Sequence, residues 1–177
     1  IVIGRSVRAA YMREAYMELS GTVSSGLGRA QVFMAQEHYQ SQFKEILSQE
    51  VWPGTLNVQV SGEDLAKYVA LRNCSGVDTL DIDVGIKKKS ESIDVSGIKT
   101  HRVRGFLREG RSFGGATGFL ATLRKSSLTT KAKEGIECAI LIPDLTRHVD
   151  VVEVICVDYL RDKLDLADGD DVSLIVH

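Results

Sequence analysis

The feature that most constrains the fold is a series of short segments with β-strand patterning, separated by glycine-bearing or polar turns. Helical patterns occur between some of them, but without the regular strand–helix alternation of a doubly wound sheet. Many short strands with a few helices favour a mainly β, α+β protein built on a closed barrel. The predicted strands lie within residues 21–28, 31–34, 55–60, 78–86, 101–108, 112–123, 136–142, 151–157 and 172–176.

Helical patterns cover residues 7–19, 36–48, 62–71 and 159–164. The first follows Ser6, a candidate N-cap, and residues 1–19 are predicted to be a helical extension or linker before one domain at residues 20–177. The second carries an apolar stripe that can lie on a sheet, and the last follows Asp158 as a predicted N-cap. Residues 87–92 are polar and charged, which predicts a solvated turn.

The composition and net charge of the chain limit the classes of function that it can have. The chain has 177 residues, 44% of them apolar, which is enough for one buried core. Its net charge of −2 provides no global positive field of the kind that holds nucleic acid or anionic lipid. The longest apolar run, residues 138–142, is too short to cross a bilayer, and no basic start followed by a hydrophobic stretch indicates a signal peptide in these 177 residues. We expect a cytoplasmic protein that binds neither membrane nor nucleic acid, although a chain that begins at Ile1 is compatible with a preceding segment.

The cysteines do not form a recognisable framework. Cys74, Cys138 and Cys156 are an odd number and contain no C-x-x-C spacing. This pattern argues against disulfides and against a zinc site, so we expect reduced thiols.

The glycine patterns of the sequence do not match the motifs of two common nucleotide-binding folds. Gly26-Leu27-Gly28 lacks the third glycine of a dinucleotide fingerprint, and the segment after it is predicted to be a strand rather than a helix. No G-x-x-x-x-G-K-[ST] sequence occurs, which excludes a P-loop. On these residues alone, a bare turn is the favoured interpretation.

Thr55, Asn57 and Glu153 are the candidate chemical groups. Thr55 and Asn57 are two residues apart on a predicted strand, so their neutral oxygens share a face and suit a Mg²⁺ ion that keeps several waters. Both residue types are also common structural residues at strand starts. Glu153 lies among valines, where an ionised carboxylate is costly unless it is paired or bound to a ligand. Strand alternation equally allows Glu153 to face solvent, and the residues alone leave both interpretations open.

Several segments, taken in their order along the chain, resemble the archaeal CTP-dependent riboflavin kinases from Gly21 to the C-terminus. They are the segment at residues 21–28, a helix with Tyr39 and Phe43, Pro53-Gly-Thr-Leu-Asn57, Ser112-Phe-Gly, Ile142-Pro-x-x-Thr146, Val152-Glu-Val-Ile155, Leu160-Arg161 and Asp168-Gly-Asp170. The resemblance implies a six-stranded cradle-loop barrel. It also implies Mg²⁺-dependent transfer of the CTP γ-phosphoryl group to the 5′-hydroxyl of riboflavin, giving FMN and CDP.

The resemblance also implies roles for individual residues. Mg²⁺ is assigned to Thr55 and Asn57, and the flavin to Thr146 and Glu153, with Glu153 orienting the acceptor or acting as a base. The nucleotide is assigned to Gly26, Leu27, Gly28, Arg29, Ala30, Gln31, Asp158, Tyr159, Leu160 and Arg161. Small glycines admit phosphates close to the backbone, which agrees with this placement.

The chain departs from the family pattern in three places. Arg29 and Ala30 stand where members usually carry Glu and Gly, which adds positive charge at the nucleotide loop and bears on the choice of nucleotide. Residues 64–92 and 125–134 are longer than usual and are predicted to be surface elaborations. The predicted N-terminal helix is interpreted as the remnant or linker of a winged-helix domain that some members carry.

Two other functions remain as alternatives. One is a non-catalytic flavin- or nucleotide-sensing regulator on the same scaffold, which would not need the Thr55 and Asn57 pair. The other is a DNA-binding relative, which the net charge of −2 disfavours. The sequence does not predict the oligomeric state.

Overall fold

The computed structural model describes residues 16–77, 81–126, 135–146 and 148–177. Its strands are β1 (Met17–Ser24), β2 (Leu56–Gln59), β3 (His101–Val103), β4 (Phe106–Arg108), β5 (Arg111–Phe113), β6 (Ala116–Lys125), β7 (Ile136–Pro143), β8 (Val151–Ile155) and β9 (Asp171–Val176). Its helices are α1 (Ala30–Met34), α2 (Glu37–Leu47), α3 (Gly62–Cys74), α4 (Val84–Glu91) and α5 (Leu160–Lys163). Within the described ranges, no helix is long and apolar enough to span a membrane.

Six strands form a closed antiparallel barrel. The strands follow the order β6, β7, β8, β2, β1 and β9, and β9 pairs back onto the second half of β6. Strand β3 pairs with the first half of β6, while β4 and β5 form a separate hairpin. The predicted closed six-stranded barrel is therefore confirmed.

Strand alternation divides the apolar residues between two cores. The barrel interior contains residues such as Val58, Val152 and Val154, each almost fully buried. A second core on the outer surface packs Phe43 of α2 against Ile155 of β8. Because alternate residues of a strand face opposite sides, the side chains between the interior residues of β2 and β8 face outward beside this second core.

The structure corrects two predictions of secondary structure, one at the start of β1 and one in the segment that follows the glycine loop. Residues 17–19, predicted as the end of a helix, are the start of β1, which pairs with β9 from Met17 opposite Val176 onward. This long-range pairing overrides the local helix preference. Residues 31–34, predicted as a strand, belong to the short helix α1, in which only Met34 is buried. The rest of the predicted first helix lies outside the described residues, apart from Tyr16, which is not helical.

The insert at residues 64–92 is not simply a surface elaboration. Helix α3 buries Tyr68, Leu71 and Arg72, and its apolar residues join the barrel core. Residues 84–91, predicted partly as strand and partly as turn, form α4, which begins where the Asp83 carboxylate accepts hydrogen bonds from the N–H groups of Gly85 and Ile86. This capping interaction was missed at the sequence level. Residues 78–80 and the polar segment 127–134 lie outside the described residues.

The two long strands predicted at residues 101–108 and 112–123 are each interrupted at glycines. A Cβ atom on Gly115 would lie 2.8 Å from the carbonyl oxygen of Val103, so glycine is needed where these segments cross. The interruption separates the β4–β5 hairpin from the barrel. The predictions of a helix near residues 36–48 and of strands near residues 55–60, 136–142 and 151–157 are confirmed.

A glycine of β1 provides a test of barrel packing. In Gly21→Ala, the new Cβ atom would lie 2.5 Å from the Gln59 carbonyl oxygen and 2.6 Å from a Val58 methyl group. We expect the free energy of unfolding to fall by about 1–3 kcal/mol, because β2 must move away from β1. Denaturant unfolding measures this change.

Gly114→Ala is the matched control, because nothing lies within 4 Å of its Cβ position and its φ is not left-handed. We expect its stability to stay within about 0.5 kcal/mol of the unmodified protein. Equal losses in the two variants would contradict the close packing of β1 on β2.

Candidate functional site

The candidate site is organised by a row of residues that crosses three strands on the outside of the barrel. Ser24 of β1 lies opposite Asn57 of β2, and Asn57 lies opposite Glu153 of β8. Residues directly opposite each other in antiparallel strands have side chains on the same face, with Cβ atoms about 4.5–5.5 Å apart. The predicted metal residue Asn57 and the predicted flavin residue Glu153 are therefore direct neighbours.

Thr55 lies next to Asn57, as the sequence spacing predicts. The Thr55 hydroxyl donates a hydrogen bond to Oδ1 of Asn57 over 3.1 Å. Two adjacent ligand positions of an octahedral Mg²⁺ ion, each about 2.1 Å from the metal, are about 3.0 Å apart. The separation of the two oxygens therefore fits two adjacent ligands of one such ion.

The glycine loop lies against the same asparagine. A Cβ atom on Gly26 would collide with the Nδ2 atom of Asn57, so any larger residue at this position requires the Asn57 side chain to move. Gly28 has φ +69°, a left-handed conformation that also favours glycine, and Leu27 is exposed. Arg29, Ala30 and Gln31 then turn into α1.

Helix α1 corrects one argument from the sequence. A helix does follow Gly28, so the expected strand was the wrong reason to reject a dinucleotide fold. The antiparallel barrel excludes that fold instead, because a dinucleotide-binding fold is built on a parallel sheet.

Arg161 is held beside the start of the glycine loop. Its Nη2 atom donates to Oδ1 of Asp168 over 2.7 Å and lies 3.4 Å from both the Ser24 carbonyl oxygen and the Ser25 hydroxyl oxygen. The Ser25 hydroxyl donates to the other carboxylate oxygen of Asp168 over 2.5 Å. The hydrogen bonds from Ser25 and Arg161 lower the pKa of Asp168, which keeps the carboxylate charged.

Asp168 and Ser25 were not assigned roles from the sequence, although both lie in segments that carried the family resemblance. The signal available was the turn Asp168-Gly169-Asp170 before the last strand. Nothing local indicates that Asp168 reaches across to Ser25, because 143 residues separate the two.

A small open cleft lies beside Thr55 of the predicted metal-ligand pair, which is Thr55 and Asn57. Thr55 and all of residues 158–161 contribute to its walls, together with Trp52. The cleft therefore shares Thr55 with the metal-ligand pair and Arg161 with the glycine loop. Tyr159 rather than Asp158 precedes α5 as its N-cap residue, and no side chain caps this four-residue helix. The predicted N-cap role of Asp158 is wrong, because α5 begins one residue later than expected.

Glu153 occupies a half-buried position on the other side of Asn57. Burial raises the pKa of its carboxyl group, and the charge of His148 partly opposes the rise. Tyr68 contributes a second nearby group, whose pKa burial raises to about 12, with a smaller contribution from the Glu153 charge. A carboxylate with a raised pKa accepts a proton more readily than an exposed one.

Thr146 lies in the loop that leads into β8. Its hydroxyl oxygen accepts a hydrogen bond from the backbone N–H of His148 over 3.3 Å. His148 also connects this loop to α3, because its carbonyl oxygen accepts a hydrogen bond from the buried Arg72 over 2.9 Å. His148 thus interacts with both predicted flavin residues, because its N–H donates to Thr146 and its charge opposes the rise in the pKa of Glu153.

The predicted groups follow one another along the strands. Thr55 borders the cleft at one end of this row of groups, and Asn57 and Glu153 lie opposite each other one step further along the strands. The loop with Thr146 lies at the other end, because it leads into the start of β8. The residues predicted to bind the nucleotide and those predicted to bind the flavin therefore lie on opposite sides of Thr55 and Asn57.

The chain is similar to a known protein family and to named archaeal proteins. The family model CTP-dep_RFKase, described as "Domain of unknown function DUF120", matches residues 23–79 and 77–176. The riboflavin kinase of Archaeoglobus fulgidus is 32% identical over 164 residues, 92% of this chain and 56% of that protein. The riboflavin kinase of Thermoplasma acidophilum is 29% identical over 159 residues, 90% of this chain and 57% of that protein.

The chain spans about half the length of the curated relatives it matches. The family match covers almost all of the barrel, including the glycine loop, the metal-ligand pair and the strand that carries Glu153. The chain belongs to the CTP-dependent riboflavin kinase family.

Proposed function

We propose that this protein is a riboflavin kinase that transfers the γ-phosphoryl group of CTP to the 5′-hydroxyl of riboflavin, giving FMN and CDP. The observation that carries the proposal is the position of Asn57, which has Gly26 and Thr55 on one side and Glu153 on the other. The printed name of the relatives, riboflavin kinase, supports the substrate.

The donor phosphates lie on the glycine loop in this proposal. Backbone at Gly26 and Gly28 allows close approach of phosphate oxygens, and Arg161 supplies positive charge beside the loop. Asp168 positions the Arg161 side chain. Arg29 is exposed at the same loop and adds a second positive charge.

Thr55 and Asn57 would hold Mg²⁺ through their side-chain oxygens. The ion would neutralise charge on the phosphates during transfer. The Nδ2 atom of Asn57 points toward Gly26, so the same side chain can also donate a hydrogen bond toward the loop.

Glu153 receives the acceptor end of riboflavin. Its carboxylate accepts a hydrogen bond from the 5′-hydroxyl and takes its proton, while the hydroxyl oxygen forms a bond to the γ-phosphorus and the bond to the CDP oxygen breaks. Thr146 binds another part of the flavin. Because phosphoryl transfer depends mainly on position and charge, no covalent enzyme intermediate is required.

The direct test incubates the protein with riboflavin, Mg²⁺ and each of the four common nucleoside triphosphates in turn. We expect FMN to form with CTP and not after Mg²⁺ is chelated. If the protein binds flavin and nucleotide but forms no FMN with any of the four, it is a sensor rather than a kinase.

Replacing both proposed metal ligands tests the donor side. In Thr55→Val combined with Asn57→Leu, shape is largely kept while both oxygens are lost, so we expect kcat/KM to fall by at least about a hundredfold, roughly 2.7 kcal/mol of transition-state stabilisation. Riboflavin affinity should be unchanged. Steady-state kinetics at limiting Mg²⁺ measures the effect.

Thr22→Val is the control for that variant, because Thr22 lies on the neighbouring strand β1, opposite Gln59, and is not part of the proposed site. It should retain the activity of the unmodified protein. Full turnover by the double variant at limiting Mg²⁺ would show that Thr55 and Asn57 do not bind the metal.

Glu153→Gln tests the acceptor side through opposite changes in activity and stability. Removing the proton acceptor should lower kcat by about a hundredfold or more. The pKa of Glu153 is raised above its usual 4.5, so ionising this group opposes folding at neutral pH. The variant should therefore have a higher free energy of unfolding at pH 7.

This stability gain should disappear below the usual pKa of a glutamate, where the carboxyl group is protonated in both folded and unfolded chains. Unfolding curves at several pH values measure it. In the unmodified protein, kcat/KM should fall on the acid side as Glu153 becomes protonated. Unchanged activity in both Glu153→Gln and Glu153→Ala would place the acceptor elsewhere.

A further inference from the structure

The cleft beside Thr55 carries an aromatic pair, Trp52 and Tyr159, of which Trp52 has no role assigned above. The rings of Trp52 and Tyr159 have centroids 5.0 Å apart and are tilted by 33°. Trp52 is 44% exposed and Tyr159 is 40% exposed, although both are large side chains. Half-exposed aromatic groups in the wall of a cleft are typical of a ligand-binding surface.

The neighbours of this pair identify which ligand reaches it. The cleft shares Thr55 with the metal-ligand pair and Arg161 with the glycine loop, whereas Glu153 and Thr146 do not line it. If the proposed function holds, phosphates lie on the loop and the metal, and the flavin lies beyond Asn57. The nucleoside end of the nucleotide is then the part that extends into the cleft.

We propose that Trp52 is the surface on which the nucleobase of the donor stacks, with Tyr159 supporting the indole ring. The inference rests on the proposed function for the direction of the nucleotide. Every nucleobase has a flat π-face that stacks on an aromatic side chain. The cleft thus takes a nucleoside di- or triphosphate by its base.

The backbone holds Trp52 in place for this role. Its N–H donates to the Cys156 carbonyl oxygen over 2.9 Å, and its own carbonyl oxygen accepts from the N–H of Gly54 over 2.9 Å. A Cβ atom on Gly54 would lie 3.5 Å from the indole nitrogen, so the ring lies close over this glycine. An aromatic platform that is ordered before binding loses little conformational entropy when the base arrives.

Stacking on Trp52 is expected to raise the affinity for a nucleotide without selecting one base over another. Because stacking tolerates any base, Trp52 strengthens binding of cytosine and adenine nucleotides alike. Preference for CTP must then come from hydrogen-bonding groups elsewhere in the cleft.

The chain contains one tryptophan, so its fluorescence reports directly on Trp52. Titration with Mg²⁺ and CDP, without riboflavin, should change the emission until it saturates. Titration with Mg²⁺ and inorganic tripolyphosphate should leave the emission unchanged, because that ligand has no base.

Calorimetry on variants separates the base from the phosphates. Trp52→Leu should weaken CDP and ADP binding by about ten- to a hundredfold and leave tripolyphosphate and riboflavin affinities unchanged. Trp52→Phe retains a ring and should restore most of the CDP affinity. Val84→Ala, which changes an exposed apolar residue that does not line the cleft, should have no effect on CDP binding.

The outcomes distinguish this inference from the proposed function. Nucleotide-dependent emission and weakened CDP binding by Trp52→Leu, without any FMN formation, would support the base site and reject the kinase. FMN formation with an unchanged KM for CTP in Trp52→Leu would reject the base site alone. Equal losses of CDP and tripolyphosphate affinity in Trp52→Leu, or no binding of any nucleoside phosphate, would also overturn the inference.

Discussion

The antiparallel register of β1, β2 and β8 is the constraint on which the candidate site depends. Val58, Val152 and Val154 fill the barrel interior, and this burial fixes which side chains of the same strands face outward. A slip of one residue would move Asn57 and Glu153 into the core. The apolar interior and the polar outer row are therefore specified together, and the barrel serves as the rigid support for the site.

The charged groups on the two sides of Asn57 lie in different electrostatic environments. On the side of the glycine loop, where the nucleotide is proposed to bind, Asp168 stays charged because Ser25 and Arg161 donate hydrogen bonds to it, and it keeps Arg161 beside the loop. On the other side, where the flavin is proposed to bind, burial raises the pKa of Glu153, which opposes folding and makes its carboxylate a better proton acceptor. This combination suits the proposed transfer from a highly charged donor to a neutral hydroxyl acceptor.

Local patterns in the sequence predicted the elements with strong periodicity, such as β8 and α2, and they predicted that Thr55 and Asn57 share a face. They failed at residues 17–19 and 31–34, where long-range pairing and the turn after Gly28 decide the structure. The position of Asn57 opposite Glu153 could not be predicted from the residues, because it depends on the register of two strands that are far apart in the chain. Trp52 was missed for the same reason, since its partner Tyr159 is distant in sequence.

The most direct test is an experimental structure with Mg²⁺, CDP and riboflavin bound together. We expect the metal on the oxygens of Thr55 and Asn57, the phosphates on the loop at Gly26, and the 5′-hydroxyl of riboflavin at the Glu153 carboxylate. We also expect donor and acceptor to lie on opposite sides of Asn57 on the outer face of the barrel. Ligands bound inside the barrel, or a flavin hydroxyl remote from Glu153, would contradict these expectations.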